Sequence, residues 1–168
     1  IRGGLASATL LGCGGFAALS GSSVASALTM GKVSLSEMDR FKYDPRLSTG
    51  VVAAGGTLGI LIPPSTGFVI FAILTEQSIG RQFLAGVFPG ILLLTIFILT
   101  VTIICWFRPE AGPPGPRTSL RQKLTALTGA LPILLVITIT IGGIYGGLFS
   151  PVEAAGVGAA FVILYGVI

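Results

Sequence analysis

Residues 55–65 read GGTLGILIPPS, and they lie at the centre of an uncharged stretch running from Leu47 to Thr75. About 20 apolar residues suffice to cross a membrane as a helix. Yet the middle of this stretch holds Gly55, Gly56, Gly59 and the pair Pro63–Pro64, the residue types that most disrupt a helix. Neither proline has an N–H to give, so the carbonyls of Gly59 and Ile60 are expected to lose their helical partners. A bare carbonyl in hydrocarbon costs several kcal/mol, and broken backbone at membrane depth persists only inside protein or beside a wet cavity. Oxygens released in this way suit a small hard cation, and the hydroxyls of Thr57 and Ser65 add to them. The stretch predicts a discontinuous helix over 47–75 with a transport site at its break. The plainer alternative is a proline kink repaired by those same hydroxyls.

Composition sets the class. Of the 168 residues, 52% are hydrophobic and 10% are charged, whereas a soluble domain carries about 25% charged residues. The mean hydropathy is +0.96. Charged residues are absent from 3–31, 47–75, 82–107, 124–152 and 154–168. These features predict an all-α integral membrane protein in contact with a lipid bilayer. The chain begins at Ile1 and stops at Ile168 within an apolar run, and is expected to be an internal piece of a longer protein.

A second interrupted segment covers 3–31. Its centre is polar, Ser20-Gly21-Ser22-Ser23. Split there, each arm is about a dozen residues, or roughly 18 Å of helix, too short for a core of about 30 Å. A re-entrant helical hairpin over 1–31 is expected, with its tip near the bilayer centre; one long kinked span with a glycine-rich packing face is the alternative. Ser22 or Ser23 would cap the second arm, whose N–H groups and dipole favour a carboxylate. Two interrupted apolar segments close together in sequence point to a transporter site.

The remaining organisation follows from charge. Residues 32–46 are read as a polar loop and 76–107 as a short turn, an interfacial segment (79–88) and a span. Residues 108–123 form a proline-rich loop with a cap at Ser119, and 124–168 hold two further membrane helices. Lys32, Arg40, Lys42 and Arg46 fall in one loop, and Arg108, Arg117, Arg121 and Lys123 in another. Two crossings separate these loops, so they share a side, which the positive-inside rule makes cytoplasmic. The net charge of +4 is explained by this pattern and gives no reason to expect nucleic acid. Glu76 and Glu153 are read as charges at span ends.

Other chemistries find little support. The chain has no histidine, which removes the commonest general base and metal ligand. Cys13 and Cys105 lack CxxC spacing. No GxxxxGK[ST] phosphate loop occurs. No enzyme activity and no cofactor are expected.

The runs FAALSGSSVASALTMGKVSLSEM, YDPRLSTGVVAAGGTLGILIPPS, ILTEQSIGRQFLAGVFPGILL and LPILLVITITIGGIYGGLFSPVEAAGVGA resemble the large membrane subunit of TRAP transporters, the tripartite ATP-independent periplasmic family. The resemblance implies an elevator-type secondary transporter of the bacterial inner membrane, built from inverted repeats. It implies sodium-coupled uptake of organic acids such as C4-dicarboxylates or sialic acid. A periplasmic substrate-binding protein and a small four-helix membrane subunit are the implied partners. On this reading Ser20, Gly21, Ser22 and Ser23 fall at the hairpin tip. Gly55, Gly56, Thr57, Gly59, Ile60, Pro63, Pro64 and Ser65 fall at the helix break, with sodium expected at Ser22, Thr57 and Gly59. The alternatives are a related ion or anion transporter without a binding protein and a non-transporting assembly subunit.

Overall fold

The computed structural model describes residues 2–115 and 120–167. Helices dominate, and no strand occurs among the described residues. Two compact units divide at residue 115.

The first unit begins with two helices of similar length. Helix α1 spans Gly4–Ser20 and helix α2 spans Ser23–Arg40. Gly21 closes α1 in the left-handed conformation (φ 58°), its N–H bonding the Ala17 carbonyl at 2.9 Å. An L side chain is disfavoured there. Ser22 turns extended and caps α2 by accepting from the Ala25 N–H.

The interruption at 21–22 falls where the sequence places it, but the second arm is longer than expected. Residues 32–40, read as loop, continue the helix. Gly31, Ser34 and Met38 are buried along one face, and Arg40 pairs with Glu37 across the surface at 3.6 Å. The charges mark the outer face of an amphipathic helix rather than the end of one. The turn is confined to Phe41–Asp44.

Helix α3 spans Pro45–Thr57, with proline in its first turn and Asp44 capping it through the Arg46 N–H at 2.8 Å. A single 3-10 turn follows at Leu58–Ile60, then the cis Pro63–Pro64 bond, then helix α4 at Thr66–Leu74. The discontinuity in 47–75 is therefore present.

Helix α5 spans Ile79–Phe107 without interruption. The expected division into an interfacial segment and a span does not occur: Pro89 lies inside the helix. At 29 residues α5 extends about 44 Å. It is the one described helix long and apolar enough to cross a membrane; Gly4–Ser20, Leu134–Tyr145 and Pro151–Gly166 are shorter apolar helices. Phe88, Trp106 and Phe107 on α5 are each about three-quarters exposed, too much large apolar surface for a water-facing helix.

Helix α1 packs against α2, α3 and α5. One apolar cluster joins Leu10, Met38, Tyr43, Leu47 and Val101 near the α2–α3 turn. The other joins Cys13, Ala17 and Leu58 beside the break.

In the second unit, α6 spans Leu120–Tyr145 and α7 spans Pro151–Val167. Ser150 and Glu153 form a reciprocal cap: the Glu153 carboxylate accepts from the Ser150 N–H at 2.8 Å, and the Glu153 N–H donates to the Ser150 hydroxyl at 3.3 Å. A β-carbon on Gly158 would lie 2.9 Å from Thr140, as the small-residue face of α7 predicts. The cap expected at Ser119 lies outside the described residues.

Candidate ion and substrate site

The two interrupted segments meet. A β-carbon on Gly59 would lie 2.6 Å from the Ser22 carbonyl carbon and 2.7 Å from the Ser23 nitrogen. One on Gly21 would lie 2.6 Å from the Pro64 carbonyl oxygen. Glycine at both positions lets the tip of the α1–α2 hairpin press its backbone against the backbone of the α3–α4 break. The contact is also bonded: the Gly21 carbonyl accepts from the Thr66 N–H at 3.3 Å and from the Thr66 hydroxyl at 3.1 Å. The C-terminal end of α1 thus supplies an acceptor to the N-terminal end of α4.

Four helix ends converge as a result. The N-termini of α2 and α4 bring backbone N–H groups and partial positive charge, and the C-termini of α1 and α3 bring carbonyls. Hydroxyls line the junction. Ser20 bridges to Ser26 at 3.1 Å and receives the Ser22 N–H at 3.4 Å. Ser26 and Ser65 are fully buried. The Ser23 hydroxyl is buried without a hydrogen-bond partner. Such a group costs about 1–3 kcal/mol unless something else binds it.

The expected site residues do not all meet. Ser20, Gly21, Ser22, Ser23, Gly59, Pro64 and Ser65 come together at the junction. Gly55 and Gly56 instead lie in helix contacts: β-carbons there would meet Cys13 and Ala27 at 2.6 and 2.8 Å. Pro63 is buried within the turn. Thr57 is exposed, and its hydroxyl donates to the Ala54 carbonyl of its own helix at 2.6 Å. One expectation needs correction. The Ile60 carbonyl is not bare, because the Ser65 hydroxyl donates to it at 2.9 Å; the hydroxyl repair weighed as the plainer alternative operates at this carbonyl.

Sequence reading missed Ser26 and Thr66. Ser26 lies one turn beyond the cap at Ser22, and Thr66 follows Ser65 directly. Position relative to a cap was the available signal for both.

No group of three or more His, Cys, Asp or Glu side chains lies together among the described residues. The oxygens at the junction are neutral hydroxyls and carbonyls. Neutral oxygens suit hard cations of low charge, whereas transition metals select nitrogen and sulfur.

Residues 1–168 match the family described as tripartite ATP-independent periplasmic transporter, DctM component. The chain belongs to that family. It is 47% identical over 168 residues to the C4-dicarboxylate TRAP transporter large permease protein of Pseudomonas aeruginosa, an alignment covering 98% of this chain and 39% of that protein. The ectoine TRAP transporter large permease protein of Halomonas elongata is 37% identical, with 100% and 38% covered. An isethionate TRAP transporter permease protein of Oleidesulfovibrio alaskensis is 36% identical, with 99% and 26% covered. The chain therefore spans about two-fifths or less of the relatives named here. The DctM-component relatives are transporter permeases of the membrane and not enzymes.

Proposed function

We propose that this chain forms one half of the transport site of a sodium-coupled importer of small organic anions in a bacterial inner membrane. The meeting of the hairpin tip with the helix break, around the orphaned Ser23 hydroxyl, carries this reading. Sodium is the coupling ion, held by neutral oxygens of the tip and break, with Ser22, Ser23 and Gly59 nearest the contact. Its charge adds to the positive ends of α2 and α4 and creates a place for an anionic group. The α1–α2 pair enters and leaves from the cytoplasmic side as a re-entrant hairpin.

Coupling follows from polarity. A tip hydroxyl without a partner, as at Ser23, is costly to carry through lipid. Sodium alone would leave an uncompensated charge, and the anion alone would lack its counter-charge. Movement of the loaded unit against a scaffold, as an elevator, is favoured when both are bound. A periplasmic binding protein delivers the substrate, and a small membrane subunit completes the assembly.

Related permeases named for C4-dicarboxylate, ectoine and isethionate support a solute that carries an anionic group, ectoine being a zwitterion, without fixing which one. Isethionate carries a sulfonate, so the substrate class is broader than carboxylates.

The test is uptake of radiolabelled C4-dicarboxylate, ectoine or isethionate by the full-length permease in proteoliposomes. Binding protein is supplied outside, and a sodium gradient is imposed. Uptake that requires both, with weakened sodium dependence in Ser23→Ala, is the expected result. Equal uptake under a proton gradient without sodium would overturn the ion assignment. An unchanged sodium dependence in Ser23→Ala would move the ion away from this junction.

A further inference from the structure

A cleft at the other end of the first unit plays no part in transport as described. Its volume is about 360 Å³, and it lies between α3, α5 and the start of the loop after α5. The body is apolar, lined by Leu47, Val51, Phe97 and Val101 among others. The lining also holds Arg46 and Arg108, both exposed, and Asp44.

These three charges are not neutralised by one another. Arg46 and Arg108 are exposed, and among the described residues the one ion pair is Arg40–Glu37. Asp44 is already committed, its carboxylate accepting from the Arg46 backbone N–H as the cap of α3. Two guanidinium groups against one carboxylate leave the charged lining net positive. An apolar slot of this size fits a ligand with a hydrocarbon body, and arginines lining the same cleft fit phosphate oxygens.

We propose that this cleft binds one anionic phospholipid, with its phosphate between Arg46 and Arg108 and an acyl chain along Val51 and Phe97. The proposal rests on the membrane reading above and on its placement of both arginines at the cytoplasmic face, where anionic headgroups meet basic pockets. Bound lipid would wedge the start of α3 against the end of α5, far along α3 from the break.

Native mass spectrometry of the full-length permease, purified in mild detergent, tests this. The protein is presented with phosphatidylglycerol and phosphatidylethanolamine of matched chains. Wild type is expected to retain phosphatidylglycerol in roughly tenfold excess. The double substitution Arg46→Gln/Arg108→Gln should bring the two lipids to parity. Gly50 lines the cleft, and a β-carbon there meets nothing within 4 Å, so Gly50→Leu should fill the slot and reduce retention of both lipids while leaving the fold intact. Equal retention of both lipids by wild type would overturn the proposal, as would an unchanged preference in the double variant or displacement of lipid by inorganic phosphate. Retention of neither lipid would assign the cleft to protein and also overturn it. Retention is read without sodium, gradient or solute, so its failure and a failure of the transport reading are separate results.

Discussion

The two ends of the first unit are held together in opposite ways. At the α2–α3 turn, Tyr43 is buried and its hydroxyl accepts from the Leu5 N–H at 3.2 Å. The carbonyls of Gly112 and Ala111 accept from the N–H groups of Gly3 and Asp44, each at 3.0 Å. The helix starts there are tied to one another by satisfied hydrogen bonds over an apolar cluster. At the tip and break, backbones touch through glycine, hydroxyls are crowded, and one of them is buried without a partner. Close packing is common to both ends; completed bonding is not. Among the described residues the one buried side-chain polar atom without a partner lies at this junction, and such a place is where a ligand has something to contribute.

Glycine substitutions give the strongest test of this contrast. Gly59→Ala would drive a β-carbon into the backbone of Ser22 and Ser23, which cannot rotate away. A loss of about 2–4 kcal/mol is expected, read as a lowered melting temperature in detergent, together with loss of sodium-dependent uptake. Gly3→Ala at the opposite end should also destabilise, by about 1–2 kcal/mol, because φ is +69° and the new β-carbon meets Cys105. Its residual uptake should keep the wild-type sodium affinity. Equal shifts of sodium affinity in both variants would erase the distinction between the ends.

Ser23→Ala separates binding from stability more sharply. Removal of a buried hydroxyl without a partner should leave stability unchanged or raise it by about 1 kcal/mol. Half-saturating sodium should rise roughly tenfold, the equivalent of one lost oxygen ligand. A destabilised variant with normal sodium dependence would show that the hydroxyl serves packing alone.

The sequence disclosed the two interruptions because their causes are local. Proline lacks a donor wherever it stands, and Gly21 with its flanking serines makes a cap-and-turn signal at short range. It did not disclose that they touch, since the approach of Gly59 to Ser22 and of Gly21 to Pro64 is a tertiary fact. Of the two residues missed, Thr66 shows its role only through that approach, by bonding the Gly21 carbonyl, whereas Ser26 bonds Ser20 within the α1–α2 pair. The reading of 32–46 as loop failed for a different reason. Its density of charge reads as a polar loop, whereas Ser34 and Met38 bury one face of a continuing helix. Likewise, 79–88 reads as an interfacial segment separate from the span, but Gly86 and Gly90 lie one turn apart on a face packed against Phe68, Leu61 and Ile62, and the helix runs on through Pro89.

Tyr43→Phe probes the completed end. Burial pushes the Tyr43 hydroxyl above its ordinary range, partly offset by the Leu5 N–H. The hydroxyl therefore stays protonated and continues to accept from Leu5 through neutral and mildly alkaline pH. Its removal leaves that N–H without its acceptor and should cost about 1–2 kcal/mol. Sodium affinity should not move, because the residue lies in the apolar cluster remote from the break.

Thr57→Ala carries the smallest expected effect and is the most pointed test of how far sequence can assign a site. By position in the broken segment, Thr57 was expected to hold sodium. In the structure its hydroxyl bonds the Ala54 carbonyl one turn back, on an exposed face. An exposed hydroxyl bonded within its own helix contributes within about 0.5 kcal/mol, and alanine is the better helix former. Melting temperature and half-saturating sodium should therefore both stay close to wild type while Ser23→Ala shifts the latter. A Thr57→Ala shift as large as that of Ser23→Ala would require the hydroxyl to leave Ala54 and turn toward the ion. The α3 end would then rearrange during binding, and the line between the two ends would have to be redrawn to include the last turn of α3.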